Sequence, residues 1–517
     1  MRVRARARRG ASSAMAALLV TAVLAGCDDG PAPPQSSKGS SPRAPKEPSA
    51  SSEAPAGSRP LDWRRCDAPE GGTAPGPGWR CATLDVPLDH AQPDGRTIGI
   101  ALVRKAATRK SERLGSMLFN FGGPGGSGVG TLPRAAASYG KLNTRYDLVG
   151  FDPRGVAASA GVRCRDDEDQ ETAYREVDMT PDTAAEEAEF IADGTDFGAG
   201  CARMSGTVLP HVGTANAARD MDAIRRALGD RKLSYFGISY GTELGGTYAH
   251  LFPGTVGRVV LDAVVDPTAD SVGHARNQTT GFQRALENYL KNRGQDPEAG
   301  TRRIAELLER IDKDPLPTAS GRELNESLAV IGIVTPLYSR SGWPTLTAAL
   351  DEAENGRGDR LLALADSYNG RDEKGHYDTQ SHSQRAISCA DAKARPTADE
   401  ARALLPEFRK LSPVFGPFLA WDTAGWCAGW PVEGEHDTPE ASAPGAAPIL
   451  VIGTTGDPAT PYEGAQRMAD ELGEGVGVML TNKGEGHGSY GESDCVTSLV
   501  DAYFLDGKVP ADGRTCS

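Results

Sequence analysis

The sequence predicts an α/β protein in which helices cover a mostly parallel central sheet. Short apolar runs, typical of buried parallel strands, alternate with helical patterns along much of the chain. The predicted strands are 97–103, 116–121, 146–151, 233–236, 257–262, 448–453 and 477–480. From 267 to about 444 the alternation lapses into helical segments, among them 281–291 and 301–313. We therefore expect a sheet domain that is interrupted by a mostly helical insertion.

The first 26 residues are typical of a bacterial export signal. Five arginines precede an apolar stretch at 14–25, which is too short to span a bilayer as a finished helix. The stretch ends in Leu24, Ala25, Gly26 and Cys27, which resembles the lipobox of bacterial lipoproteins. In such signals the cysteine is acylated and becomes the mature N-terminus. An ordinary secretory signal followed by a chance cysteine is the alternative.

This signal predicts a protein on the outer side of the bacterial membrane. Lipid attached to Cys27 would hold it there, and a secreted form could be released from the anchor. Residues 27–60 are rich in Pro, Ser, Gly and Ala and cannot bury enough apolar surface to fold, so we predict a disordered tether. The length that remains predicts a core at 61–266 and 445–517 and an inserted cap at 267–444.

Charge and cysteine content agree with export. The formal net charge is −14, which argues against nucleic acid or anionic lipid as partners. Beyond Cys27 the chain has an even number of cysteines, which favours disulfides outside the cytoplasm. Sequential pairing is preferred among the possible connectivities, because each pair closes a local loop: 66–81, 164–201, 389–427 and 495–516. No cysteine or histidine spacing supports a metal site, and we predict no cofactor.

The segment 237–241 (GISYG) predicts a nucleophile elbow. It follows the predicted strand 233–236 and opens a helical pattern at 242–251, so the motif has the strand–turn–helix context that it requires. The turn would expose the hydroxyl of Ser239, and the flanking glycines remove side chains that would clash. A chance match is the alternative in a chain with 62 glycines, so the assignment depends on the partners of a catalytic serine.

Chain order then selects an acid and a base. In sheet enzymes with this elbow the order is serine, acid, histidine. Asp457 lies in the Gly- and Pro-rich loop after the strand 448–453, although a simple turn aspartate is the alternative. His487 is the one histidine after Asp457, in the loop 484–488 (GEGHG). We predict the triad Ser239, Asp457 and His487. The earlier histidines are interpreted as structural or solvated: 90, 211, 250, 274, 376, 382 and 436.

The segment 122–128 (GGPGGSG) directly follows the predicted strand 116–121. Glycines let the backbone approach a substrate carbonyl, so the N–H of Gly123 is the predicted partner of the Tyr240 N–H in an oxyanion hole. A phosphate-binding loop is the rival interpretation. It is disfavoured because no G-K-[ST] follows and Pro124 removes a donor.

Five motifs together resemble one family. They are 122–128, 150–155 (GFDPRG), 237–242 (GISYGT), 456–461 (GDPATP) and 486–488 (GHG). In this order they resemble the exported bacterial tripeptidyl aminopeptidases, α/β-hydrolases related to proline iminopeptidase, a family in which some members are called esterases. The resemblance extends from about residue 61 to the C-terminus. It implies an α/β-hydrolase fold, the same triad and the same oxyanion donors, and it supports a Cys389–Cys427 pair.

The sequence departs from that family at two places. Phe121 stands where Pro or His usually precedes the glycines, and 155–159 (GVAAS) lacks a second glycine. An aminopeptidase must also bind a free α-ammonium, and in relatives the carboxylates for this come from the cap. Glu243 would share a helix face with Ser239, although a first-turn glutamate favoured by the helix dipole is as good an explanation.

We therefore expect an exported serine peptidase that releases short peptides, tripeptides in the first place, from peptide N-termini. A carboxylesterase that uses the same triad is the alternative enzyme. A non-catalytic peptide-binding surface lipoprotein is the alternative of another class.

Overall fold

The computed structural model describes residues 61–68 and 73–517. The predicted signal peptide (1–26), the lipidation site Cys27 and the tether (27–60) lie outside the described residues. In the part of the chain that is described, no helix is both long enough and apolar enough to cross a membrane.

One sheet organises the described residues. Its strands in chain order are β1 (Arg64–Arg65), β2 (Trp79–Pro87), β3 (Thr97–Lys105), β4 (Gly115–Asn120), β5 (Tyr146–Phe151), β6 (Leu233–Ile238), β7 (Val256–Asp262), β10 (Ile449–Gly456), β11 (Gly477–Glu485) and β12 (Arg514–Cys516), while β8 (Leu316–Pro317) and β9 (Glu323–Leu324) form a separate hairpin. The spatial order is β1-β2-β3-β5-β4-β6-β7-β10-β11-β12. The first strands pair antiparallel as far as β3–β5, and the pairs from β5 to β12 are parallel.

Helices cover both faces of this sheet and fill the insertion. The helices are α1 (Gly128–Ala135), α2 (Asp167–Glu176), α3 (Ala184–Ser205), α4 (Thr214–Ala227), α5 (Tyr240–Leu251), α6 (Ser271–Asn292), α7 (Pro297–Lys313), α8 (Glu326–Leu337), α9 (Trp343–Glu354), α10 (Asp359–Tyr368), α11 (Gln380–Asp391), α12 (Ala398–Leu411), α13 (Gly416–Gly425), α14 (Tyr462–Leu472) and α15 (Asp494–Asp506). Strands β4 and β5 are buried along their whole length, as expected for parallel strands covered on both sides. This is the predicted α/β-hydrolase architecture, a mostly parallel sheet between helices.

The predicted strands all form, with ends that differ by a few residues. The sequence analysis missed β1, β2 and β12 at the two edges of the sheet. Strand β2 alternates buried and exposed residues, and Arg80 and Asp85 interrupt its apolar pattern. A search for continuous apolar runs therefore passes over it, because such runs are typical of strands that are buried on both faces.

The cap is built from more of the chain than the insertion alone. Its hydrophobic cluster contains α6 to α10, α12 and α13, and it also includes Val177 and Phe190 from the region of α2 and α3. The Phe190 ring lies edge-on to Trp421, with 6.1 Å between the centroids. Conversely, α11 packs Ile387 and Cys389 into the core beneath the sheet. The segments 61–266 and 267–444 thus exchange helices across the boundary between core and cap.

All four preferred disulfides are present. The pairs are Cys66–Cys81, Cys164–Cys201, Cys389–Cys427 and Cys495–Cys516. Cys389–Cys427 joins the C-terminal end of α11, which packs on the core, to the segment that follows α13 in the cap. Both cysteines pack with the same core cluster, and this is the pair that the family resemblance supported.

Candidate active site

Ser239 lies in a strained turn between β6 and α5. Its backbone has φ 57° and ψ −127°, a conformation that side chains rarely adopt and that a nucleophile elbow requires. The turn also needs its two glycines. A Cβ at Gly237 would lie 2.3 Å from the carbonyl oxygen of Gly241, and a Cβ at Gly241 would lie 2.7 Å from that of Asn120.

His487 and Asp457 form a hydrogen-bonded pair. Nδ1 of His487 lies 2.9 and 3.0 Å from the two carboxylate oxygens of Asp457. The imidazole is 12% exposed, whereas the carboxylate is fully buried. The carboxylate also accepts the backbone N–H groups of Ala459 at 3.0 Å and Thr460 at 2.9 Å, which fix its orientation. The arrangement directs Nδ1 to the acid and leaves Nε2 for a proton from a nucleophile.

The charge around this pair favours the imidazolium. Burial alone would lower the pKa of His487, but the charge and hydrogen bond of Asp457, together with the charge of Asp262, raise it above its ordinary value. The hydroxyl of Thr460 bonds to the Asp457 carboxylate at 3.1 Å and lies 3.3 Å from Nδ1 of His487.

The sheet explains why three distant residues meet. Ser239 follows β6, Asp457 follows β10, and His487 lies just after β11. These strands lie in the order β6-β7-β10-β11 and are all parallel, so their carboxyl ends share one edge of the sheet. The structure thus brings all three predicted residues to one edge.

The glycine loop lies against the elbow. A Cβ at Gly122 would be 2.7 Å from Cβ of Ser239 and 3.2 Å from the nitrogen of Tyr240, so only glycine permits this approach. Among the described residues, the backbone N–H groups of Gly123 and Tyr240 have no protein acceptor. Both are available to a substrate oxygen.

Phe121 departs from the family pattern and is part of an aromatic cluster. Its ring lies 6.0 Å from Phe119 and 6.3 Å from Tyr139, and Tyr139 stacks on Tyr490 at 5.4 Å. Phe121 therefore supports the glycine loop by packing.

The cap contacts His487 directly. The carbonyl oxygen of Tyr338, just after α8, accepts the backbone N–H of His487 at 2.8 Å. The two rings pack edge to face at 5.3 Å, and the Tyr338 ring lies 6.3 Å from that of Tyr368. Tyr368 is 46% exposed although it is large and aromatic, so it forms part of an accessible wall.

Two carboxyl groups have raised pKa values, Glu243 in α5 next to the elbow and Asp422 in the cap. Burial raises the pKa of Glu243 to about 8, and the nearby Asp391 carboxylate contributes to the rise. Asp391 accepts a hydrogen bond from the Thr214 hydroxyl, which lies 2.6 Å from the phenol oxygen of Tyr240. In the cap, burial raises the pKa of Asp422 to about 6.

Glu243 and Asp422 lack the side-chain partners that acids away from the surface usually have. Within 61–68 and 73–517, neither carboxylate makes a hydrogen bond or an ion pair with a side chain. Both side chains are partly exposed. The charge of Arg385 nevertheless acts on Asp422, and a Glu243 pKa of about 8 leaves that carboxyl mostly protonated at neutral pH.

Other predicted features have ordinary partners. Nε2 of His90 lies 2.9 Å from Asp220, and Nε2 of His382 lies 3.2 Å from Gln170. In the described residues, no cluster of three or more His, Cys, Asp or Glu side chains is placed to hold a metal ion.

Sequence analysis missed Asp262, Tyr338 and Thr460. Asp262 ends a predicted strand, which is the signal that selected Asp457, so the same rule could have found it. Thr460 lies three residues after the acid and could have been interpreted as a local hydrogen-bond donor. Nothing local marks Tyr338, because its role depends on how the cap folds.

Comparison with known proteins agrees with this architecture. Residues 115–305 match the family model described as alpha/beta hydrolase fold, and residues 412–516 match that of TAP-like proteins. The chain is 36% identical to serine protease Hip1 of Mycobacterium tuberculosis, over 89% of this chain and 91% of that protein. It is also 36% identical to carboxylesterase B of the same species, over 85% and 86%.

Tripeptidyl aminopeptidase of Streptomyces lividans is 30% identical, over 88% of this chain and 86% of that protein. Matches of this identity and coverage show common ancestry along nearly the whole chain. The chain therefore belongs to the tripeptidyl aminopeptidase family of α/β-hydrolases and is a serine hydrolase.

Proposed function

We propose that the protein is an exported, lipid-anchored serine peptidase that removes tripeptides from the free N-termini of peptides. The observation that carries the proposal is the hydrogen-bonded pair of His487 and Asp457 at the sheet edge that presents Ser239. The peptidase names of the relatives support it.

The geometry supports an acyl-enzyme mechanism. Nε2 of His487 takes the proton from Oγ of Ser239 as the oxygen attacks the substrate carbonyl, and Asp457 stabilises the imidazolium. The N–H groups of Gly123 and Tyr240 bind the oxyanion. His487 then donates its proton to the leaving amine, and water that is activated by the same imidazole hydrolyses the acyl-enzyme.

The cap supports recognition of a free N-terminus. Ring-to-ring steps of 5.3 and 6.3 Å lead from His487 through Tyr338 to Tyr368, whose phenol is influenced by the charge of Asp422. We infer that Asp422 binds the α-ammonium of a tripeptide, with Tyr368 beside it as an aromatic contact.

The test is a panel of chromogenic substrates with one leaving group. A tripeptide amide with a free N-terminus should be cleaved faster than its N-acetylated form and faster than a single amino-acid amide. Equal cleavage of free and acetylated tripeptides would contradict the aminopeptidase proposal.

A carboxylesterase is the second candidate, because a relative of that name is as similar as the protease relative. Hydrolysis of short acyl esters without cleavage of any peptide amide would favour it. Absence of turnover on the whole panel, with no labelling by a serine-directed phosphonate, would favour a peptide-binding lipoprotein instead.

Anchoring at Cys27 is a separate part of the proposal, supported by the lipobox-like sequence. In a bacterial host, the full-length protein should fractionate with membranes and incorporate radiolabelled fatty acid. A Cys27→Ser variant should do neither. Unchanged membrane association of that variant would contradict the lipid anchor.

A further inference from the structure

Asp262 contacts both sides of the reacting pair. It is the last residue of β7, the strand that separates the nucleophile strand β6 from the acid strand β10. Its carbonyl oxygen accepts the backbone N–H of Ser239 at 3.1 Å. Its carboxylate accepts the backbone N–H groups of Ser489 and Tyr490, each at 2.9 Å, in the loop that carries His487.

The carboxylate is buried and acts only as an acceptor. Asp262 is 2% exposed, and all its side-chain hydrogen bonds come from backbone N–H groups. A protonated carboxyl would need an acceptor for its own hydrogen, and the described residues offer none in these bonds. Burial and the nearby charge of Asp457 raise the pKa of Asp262 above its ordinary value, whereas the two backbone N–H groups and the positive charge of His487 oppose that rise. The acceptor-only contacts therefore fit a carboxylate that is charged when His487 is protonated.

No cation of the described chain neutralises Asp262. It forms no ion pair with an arginine or lysine, although a buried carboxylate ordinarily requires one. The positive charge that can appear next to it is the imidazolium of His487, which forms when Ser239 loses its proton. The negative charge of Asp262, in addition to that of Asp457, would stabilise this imidazolium.

We propose that Asp262 is a positioning residue for catalysis: it holds the His487 loop in register with Ser239 and adds a second negative charge to that of Asp457. This inference rests on the proposed triad. Its role differs from that of Asp457, because it acts on the loop backbone and through its field, whereas Asp457 bonds to the imidazole itself.

Few titratable or polar groups approach the His487 imidazole from the elements that pack against it. Asp457 and Thr460 come from the loop after β10, Asp262 comes from β7, and Tyr338 comes from the cap. Tyr139 lies close enough to Asp262 for the carboxylate to affect it, and burial raises the pKa of its phenol so that it stays neutral. The charges on the imidazole therefore come from Asp457 and Asp262.

The experiment compares pH profiles of kcat/KM for a chromogenic tripeptide amide. In Asp262→Asn the acid limb should move down by about half to one pH unit, because the imidazolium loses a stabilising charge. At neutral pH kcat should fall by about 10-fold or more, with KM nearly unchanged, because the loop is held less firmly. An acid limb at the wild-type position in this variant would overturn the proposal.

A matched control is Asp147→Asn. Asp147 is also buried and accepts a backbone N–H, from Ala107 at 2.8 Å, but it is ion-paired with Arg113 at 3.1 Å and lies near the start of β5, at the opposite end of the parallel strands. This variant should lower the melting temperature and leave kcat and the acid limb unchanged. A similar shift of the limb in both variants would show a general effect of lost buried charge and would overturn the proposal.

Asp262→Glu keeps the test decisive if Asp262→Asn does not fold. It retains the charge and lengthens the side chain, so the acid limb should stay while kcat falls. A wild-type kcat would overturn the positioning role. Labelling of wild-type Ser239 by a serine-directed phosphonate separates the proposed triad from the role of Asp262. If Ser239 is not labelled, the triad itself is wrong. If Ser239 is labelled, a failed prediction for the Asp262 variants contradicts only the role of Asp262.

Discussion

The edge of the sheet and the cap contribute to the same site in different ways. At the sheet edge, Ser239, Asp457 and His487 follow strands whose positions are fixed by parallel pairing. In the cap, the residues to which we assign roles come from separate helices, namely Tyr338 after α8, Tyr368 at the end of α10 and Asp422 in α13.

The contacts within the two regions differ as well. The acid and base are joined by hydrogen bonds of 2.9 and 3.0 Å, whereas Tyr338 and Tyr368 contact each other as rings and Asp422 has no hydrogen-bonded side-chain partner in the described structure. Strand pairing and hydrogen bonds hold the reacting groups in place. In the proposed function the cap contributes the Tyr368 ring and the Asp422 carboxylate to substrate selection. Mutations should therefore separate rate from selectivity.

The largest effect should come from Ser239→Ala. Without the nucleophile, kcat for every substrate should fall by at least about 10⁴-fold, while the melting temperature stays near that of the wild type. Steady-state kinetics and thermal unfolding measure the two. Ser320→Ala, in an exposed turn of the cap, is the control and should keep full activity. Substantial peptidase activity in Ser239→Ala would contradict the assignment of the reacting groups to the sheet edge.

Asp457→Asn should follow, with a loss in kcat of about 10⁴-fold. Asparagine holds the imidazole less well and removes the charge that raises the pKa of His487, so the acid limb of any residual activity should move to lower pH. The pH profile of kcat/KM measures this. Asp437→Asn, an exposed position, serves as the control. An unchanged acid limb would contradict the assignment of Asp457.

A cap change should alter selectivity more than rate. Asp422→Asn should raise KM for free tripeptides by about 10-fold, since an ammonium–carboxylate contact is charge-assisted, and leave hydrolysis of small acyl esters unchanged. The charged form of Asp422 binds the ammonium, so wild-type KM should rise below about pH 6, and this rise should vanish in the variant. Asp314→Asn, an exposed carboxylate in the cap, is the control. An equal loss of activity on peptides and on esters would contradict a role of Asp422 in selecting peptides.

The smallest effect tests the contact between the two regions. Tyr338→Ala removes the ring that packs on His487 but keeps the carbonyl that accepts its N–H. We expect kcat to fall by about 5-fold on both esters and peptides, because the base is held less firmly. Tyr338→Phe retains the ring and should remain within about 2-fold of the wild type. A loss confined to peptides would show that Tyr338 contacts substrate instead.

Residues at the sheet edge were easier to predict from the sequence than residues in the cap. Ser239, Asp457 and His487 are recognisable because each lies next to a strand with a clear apolar run, and because chain order in this fold is constrained. Gly123 and Tyr240 follow from local backbone geometry. The pairing of cysteines follows from short loops, and the structure contains every preferred pair.

The remaining features depend on contacts between distant segments. Phe190 reaches the cap core only because α3 packs beside α13, and no local pattern predicts that. Asp422 carries no motif, and only the folded cap distinguishes it from the other acids there, by its raised pKa and its lack of a hydrogen-bonded side-chain partner in the described residues. Asp262 is intermediate, since its strand was predicted but its role depends on how the His487 loop folds back.

The central claim is that Ser239 at the sheet edge is the nucleophile. The most direct measurement is mass-spectrometric mapping of the protein after reaction with a serine-directed fluorophosphonate. We expect a single adduct on Ser239, formed together with complete loss of tripeptide cleavage and absent from Ser239→Ala. An adduct on another residue that abolishes activity, or full activity after Ser239 is modified, would contradict it.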